Sequence, residues 1–144
     1  MQIKVINCSK NALPEYKTEG SAGMDLRADI VGSLKLSPNQ IRTIPTGLYI
    51  EIPENEYEFQ IRSRSGLAMR GIIVLNSPAT IDSDYRGEIK VILANFGNDE
   101  VTIKSGDRIA QMVLCKIEKC EWKWVLQLDS TKRGMKGFGS TGVE

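Results

Sequence analysis

Apolar and polar side chains alternate with a period of two through much of the chain. Tyr57, Phe59 and Ile61 alternate with Glu58, Gln60 and Arg62, which predicts a strand with one face in a core and the other in water. Cys120, Trp122, Trp124, Leu126 and Leu128 alternate with Glu121, Lys123, Val125, Gln127 and Asp129 in the same way. The run Ile89 to Phe96 (IKVILANF) is apolar on both faces, as a central, doubly covered strand is, and Ile109 to Ile117 repeats this apart from Gln111. Turn-forming clusters separate the runs: Ser37-Pro38-Asn39, Ile52-Pro53-Glu54-Asn55, Phe96-Gly97-Asn98-Asp99 and Ser105-Gly106-Asp107. Short strands punctuated this often predict an all-β fold, a jelly-roll-like barrel or sandwich. At most one very short helix fits, near Leu67 to Arg70 with Gly71 closing it.

The pattern stops near Asp129. From Lys132 to Gly142 (KRGMKGFGSTG) the chain carries four glycines, two hydroxyls and one aromatic, Phe138, too little apolar surface to order itself. Residues 1–129 are therefore expected to form one β domain and residues 130–144 a flexible tail. Two readings of the tail stay open: a frayed end, or a flap that closes over a ligand. As a flap, its backbone N–H groups would face phosphate and Phe138 would offer a stacking surface.

Composition narrows the chemistry. The 144 residues include 19 Lys and Arg against 18 Asp and Glu, a balance that argues against a general electrostatic grip on nucleic acid or anionic membrane. Cys8, Cys115 and Cys120 form no CxxC pair, so neither a disulfide framework nor a zinc site is expected, and a reducing compartment suits the chain. No apolar run reaches the ~18 residues that would span a bilayer, and the segment Met1 to Val5 lacks a signal-peptide layout. The expected location is cytoplasmic. The sequence contains no histidine. Ser-His-Asp and Cys-His catalysis and His-ligated zinc are thereby excluded, and a general base near neutral pH is most simply a carboxylate.

Five polar or Gly-rich segments interrupt the strands. Ala22 to Ala28 (AGMDLRA) sets Asp25 among apolar neighbours, as a turn or surface charge or as an anchor for a hydrated divalent cation. Arg62 to Leu67 (RSRSGL) joins guanidinium to hydroxyl before the short helix, which suits phosphate or ordinary capping. Asn76 to Glu88 gathers three acidic residues and a tyrosine at the mouth of a buried strand, a polar hairpin or a pair of carboxylates with divided roles. Gly106 to Gln111 places an amide on an apolar strand, where protein groups or a ligand must satisfy it. The tail is the fifth.

Taken together and in this order, AGMDLRA, RSGLA, TIDSDYRGE, GDRIAQ and RGMKGFGSTG resemble the five motifs of the trimeric dUTPase family. The resemblance implies a jelly-roll subunit, a homotrimer whose active sites are shared between subunits, and Mg²⁺-dependent hydrolysis of dUTP to dUMP and pyrophosphate. Such an activity limits uracil in DNA and supplies dUMP for thymidylate synthesis. It assigns Asp82 as the general base for a water attacking the α-phosphorus. Arg64, Ser65, Gly66 and Gln111 would contact the phosphates, with Arg133, Ser140 and Thr141 closing from the flap. Asn76, Thr80, Ile81 and Lys90 would read uracil, Phe138 would stack on it, and Tyr85 would pack under the deoxyribose. Asp25 would hold Mg²⁺ through water. The partner is dUTP, not nucleic acid or membrane. The chain departs from the usual family pattern at Arg62 and Ser63, where a proline is common, and at Ala79 and Lys136, where glycine is frequent; the stretch Ala68 to Gly71 is one residue short.

Two other readings compete. A dCTP deaminase of the same superfamily, or a bifunctional deaminase, would need a glutamate to activate water, where this hairpin has Asp82. A nucleotide-binding regulator on the same scaffold would act through partner proteins and could coexist with hydrolysis.

Overall fold

The computed structural model describes residues 1–137. Eleven strands and one helical turn follow in order: β1 (Lys4–Asn7), β2 (Met24–Arg27), β3 (Ser33–Leu36), β4 (Ile41–Pro45), β5 (Leu48–Glu51), β6 (Tyr57–Arg62), α1 (Ser65–Ala68), β7 (Ile72–Val74), β8 (Ala79–Ile81), β9 (Lys90–Asn95), β10 (Val101–Lys104) and β11 (Arg108–Lys116). Every pairing is antiparallel. A four-stranded sheet runs β2-β11-β6-β8, a three-stranded sheet runs β4-β9-β7, and β1-β5 and β3-β10 form two ribbons. The jelly-roll-like, nearly all-β architecture expected from the alternation is the one observed.

The alternation explains how the layers meet. Leu26, Phe59, Ile61, Ala110 and Met112 point inward from the four-stranded sheet. Ile44, Ile72, Val74, Val91 and Leu93 point inward from the three-stranded one, and all join a single apolar cluster. On β9, Val91, Leu93, Ala94 and Asn95 are all buried, the double coverage its apolar run predicts. Leu93 is fully buried between β4 and β7. Leu93→Ala is expected to cost roughly 2–5 kcal/mol, read as a lowered midpoint in urea denaturation.

Buried polar groups are placed at the turns and are satisfied. The Asn95 amide donates to the carbonyls of Leu36 and Asp99, both at 2.8 Å, and its oxygen accepts the Gly97 N–H at 2.8 Å. That one side chain fixes the predicted turn after Phe96. Thr46 Oγ1 donates to the Ile89 carbonyl at 2.6 Å and ties the β4–β5 turn to the entry of β9. The helical turn begins two residues earlier than the sequence pattern places it. It is followed by Gly71 at φ 80°, where an added Cβ would lie 2.2 Å from the Gly97 nitrogen; close approach of two backbones requires the glycine as much as the dihedral does.

The expected strand over Cys120 to Leu128 is absent. No residue from 117 to 137 is in a strand, and Trp122, Trp124, Leu126 and Leu128 are 95%, 92%, 100% and 81% exposed. A strand needs a neighbour to pair with and a surface to cover, and within one copy of the chain this segment meets neither. No helix among the described residues is long and apolar enough to cross a membrane.

Candidate functional site

The predicted residues fall into two groups. The first lies on the outer face of the four-stranded sheet, at the end where β2 begins and β6 ends. Asp25 on β2 stands opposite Gln111 on β11, and Gln111 stands opposite Arg62 on β6. Leu26, Ala110, Met112 and Ile61 face inward, so the pleat turns Asp25, Gln111 and Arg62 outward together. The chain leaves β6 through Ser63 and Arg64, the latter extended at φ −90°, ψ 135°, and enters α1. This brings Arg64 back over β2, where its Nε donates to Asp25 Oδ1 at 2.7 Å.

Arg108, which the sequence reading passed over, completes the group. Its Nη1 donates to Asp25 Oδ2 at 3.1 Å, and its carbonyl accepts from Arg64 Nη1 at 3.0 Å. Two guanidiniums thus flank one carboxylate that is 19% exposed. The three groups together carry a net positive charge suited to an anion. Arg108 and Gln111 are three apart, so strict alternation puts them on opposite faces. A register shift between Arg108 and Ala110 against β2 adds one residue and restores both to the same face. The signal in the sequence was the arginine of GDRIAQ; the bulge that aims it was not visible.

Gln111 finds its partner within the protein: its Nε2 donates to the Ser63 carbonyl at 2.9 Å. The Ser63 hydroxyl accepts the Val74 N–H at 2.9 Å, which ties the end of β6 to β7. A serine where the family often has proline therefore has a structural function here. Gly23 leaves space for the amide, since a Cβ there would lie 2.6 Å from Gln111 Oε1. Ser65 and Gly66 open α1 beside Arg64, exposed.

The second group lies on the excursion between β7 and β9. Asn76 is exposed in the turn that leads to β8, and Thr80 and Ile81 lie on β8 itself. β8 pairs with β6 so that Ile81 faces Phe59 and Ala79 faces Ile61. Asp82 follows directly and starts a turn in which the Tyr85 N–H donates to the Asp82 carbonyl at 3.2 Å, the position in a turn that aspartate favours. Among the described residues the exposed Asp82 carboxylate has no ion-pair partner. Arg86 braces the turn by donating to the carbonyls of Ser83 and Tyr85 at 2.7 and 3.0 Å. Lys90 opens β9 with its ammonium 3.5 Å from Glu88 Oε2.

The two groups do not meet within one copy. By the β6–β8 register Asp82 is level with Glu58, whereas Asp25 is level with Arg62, four residues along the strand. β2 and β8 are also the two outer strands of the sheet, three spacings apart. At ~3.3 Å per residue and ~4.8 Å per strand, Asp25 and Asp82 are roughly 20 Å apart. Of the tail residues, Arg133 is exposed and its Nε donates to the Lys136 carbonyl at 3.0 Å; Phe138, Ser140 and Thr141 lie outside the described residues. Elsewhere on the surface, hydrogen bonds from Lys4 and Lys35 hold Glu51 and Glu100 below the usual carboxylate range.

The model of the dUTPase family matches residues 9–142. A deoxyuridine 5′-triphosphate nucleotidohydrolase of Cytophaga hutchinsonii is 55% identical over 141 residues, 97% of this chain and 91% of that protein. The chain belongs to the dUTPase family. The enzyme of the same name from Fusobacterium nucleatum is 54% identical over 143 residues, covering 99% of this chain and 97% of its own. Among solved structures, the dUTPase of Staphylococcus bacteriophage 80alpha with dUpNHpp superposes with a TM-score of 0.87 at 27% identity, over 99% of each chain. A D95N dUTPase of phage phi11, in which a structural Mg(II) ion is coordinated, shares the fold at a TM-score of 0.79 and 22% identity, over 90% of this chain and 100% of its own.

Proposed function

We propose that the chain hydrolyses dUTP to dUMP and pyrophosphate, with Asp82 as the general base. A water oxygen bonds to the α-phosphorus as the bond from that phosphorus to the α–β bridging oxygen breaks. The water's proton passes to the Asp82 carboxylate, and pyrophosphate leaves. One observation carries this assignment: in a chain without histidine, an exposed carboxylate with no ion-pair partner among the described residues closes β8 on a braced turn. The relatives' activity supports dUTP as the substrate. In this reading Arg64, Ser65, Gly66 and Gln111 bind the phosphates, and Arg133, Ser140 and Thr141 join them from the tail. Asn76, Thr80, Ile81 and Lys90 read uracil, Phe138 stacks on it, and Tyr85 lies under the sugar.

The donor set suits a cation brought by the substrate. Among the described residues no three His, Cys, Asp or Glu side chains cluster to cage a metal. Asp25 is a single, partly exposed carboxylate whose two oxygens each take only one guanidinium N–H, leaving lone pairs for a coordinated water. That matches Mg²⁺, which keeps most of its own waters. Asp25 would hold it through water, and the ion would supply neutralisation of the triphosphate charge.

The site is completed by another copy of the chain, in a homotrimer. Groups roughly 20 Å apart cannot both reach one α-phosphate, so the base of one subunit would serve the phosphate cluster of the next. The exposed Trp122, Trp124, Leu126 and Leu128 support association. Burying them would contribute on the order of 10 kcal/mol, and the apolar groove of about 290 Å³ lined by Ile3, Val5, Leu13, Tyr16 and Met24 is a surface that could receive them.

Product analysis tests the reading. With Mg²⁺, dUTP is expected to yield dUMP and pyrophosphate in equal amounts, with UTP, dTTP and dCTP left intact and no ammonia from dCTP. Chelation of the metal is expected to abolish most turnover. Intact dUTP, or ammonia from dCTP, overturns it.

A further inference from the structure

Gly87 follows Tyr85 by two residues, and its backbone does not demand glycine. Among the described residues the positive-φ glycines are Gly32, Gly47, Gly71, Gly106 and Gly134. What excludes a side chain at position 87 is the Tyr85 ring. A Cβ on Gly87 would lie 2.2 Å from the Tyr85 hydroxyl oxygen, 2.5 Å from Cζ and 2.9 Å from Cε2. The ring folds back over residue 87, and its hydroxyl donates to the Glu88 carbonyl at 3.1 Å.

That seat is fastened to the rest of the fold. Glu88 Oε1 accepts the Gly47 N–H at 2.9 Å. The next residue, Ile89, is fully buried, donates its N–H to the Leu48 carbonyl at 2.8 Å and accepts from the Thr46 hydroxyl at 2.6 Å. The ring therefore rests on backbone that is tied to the β4–β5 turn, while Tyr85 as a residue remains 44% exposed. A surface with these two properties, a rigid back and an open face, can act as a wall. A wall on an unsupported loop would yield to one extra oxygen atom, because apolar contact alone rejects an added hydroxyl weakly.

We infer that Gly87 is a specificity-determining positioning residue: by leaving room for the Tyr85 ring to fold back over residue 87 and bond the Glu88 carbonyl, it fixes the wall that excludes a ribose 2′-hydroxyl. The inference rests on the reading that Tyr85 faces the sugar. Gly87 touches no substrate; it acts through the ring.

The test compares kcat/KM for dUTP and UTP in the full-length protein with Mg²⁺, in Gly87→Ala, Tyr85→Ala and the double variant. Gly87→Ala is expected to fold and to lower the preference for dUTP by about tenfold or more. Tyr85→Ala is expected to lower it at least as far, and the double variant no further than Tyr85→Ala alone. An unchanged preference in Gly87→Ala beside a collapsed one in Tyr85→Ala overturns the inference and leaves the reading of Tyr85 standing. An unchanged preference in Tyr85→Ala overturns that reading and the inference with it. An additional loss in the double variant also overturns it, since Gly87 would then act by another route. Should Gly87→Ala not fold, Tyr85→Phe removes the bond to Glu88 without adding bulk; a several-fold loss of preference supports the seat and an unchanged preference overturns it.

Discussion

Asp82→Asn is expected to bind dUTP about as tightly as the parent and to turn it over ~10² to 10⁴ times more slowly. The substitution changes one atom and keeps the shape of the side chain, so the turn that begins at Asp82 and is closed by the Tyr85 N–H is preserved. No ion pair among the described residues is lost with the carboxylate, so melting temperature and oligomeric state are expected to match the parent's. The amide lacks only the ability to take the proton of the attacking water. A base acts in the transition state, so kcat and kcat/KM are expected to fall together while the dissociation constant for a non-hydrolysable analogue such as dUpNHpp stays within a factor of a few. Calorimetric titration with the analogue and single-turnover measurement with dUTP separate the two. Turnover within a factor of a few of the parent would falsify the assignment of Asp82.

Much of the framework was legible in the sequence because period-2 alternation is imposed by the pleat itself. Phe59 and Ile61 are buried and Arg62 is exposed, as their alternation requires, and the doubly apolar run at Ile89 to Phe96 is the central strand β9. The turn after Phe96 was readable as a turn, but the residue that fixes it, Asn95, was hidden inside an apolar run. The region Cys120 to Leu128 has the strand pattern and no strand. Alternation reports which face is to be covered, not what covers it.

The site divides along the same line. Motif spelling brought out Asp25, Arg64, Gln111, Asp82 and Tyr85, because short polar insertions among strands are conspicuous. Arg108 and Gly87 stood in the same motifs and went unnoticed. The first is aimed by a bulge, which depends on pairing with β2. The second is defined by the ring lying over it. Both are relations between residues that spacing along the chain does not express.

Mixing two inactive variants is expected to restore activity. Arg64→Ala removes a guanidinium from the phosphate cluster, together with its bond to Asp25, and Asp82→Asn removes the base roughly 20 Å away on the same sheet. Each homogeneous protein carries one defect in every site and is expected to be nearly inactive. If each site takes its base from one subunit and its phosphate cluster from another, random reassociation of equal amounts joins an intact base to an intact cluster in about a quarter of the sites. After denaturation and joint refolding, turnover should therefore rise to about a quarter of the parent's, far above either variant refolded alone. If instead both groups served a site within one chain, every site would retain a defect and mixing would recover nothing. That null result, with mixed oligomers verified by differently tagged subunits, would refute the shared site while leaving Asp82 as base untouched. The outcome thus turns on a distance the strand register already sets: one subunit cannot bring its own carboxylate to its own arginines without breaking the sheet that holds both.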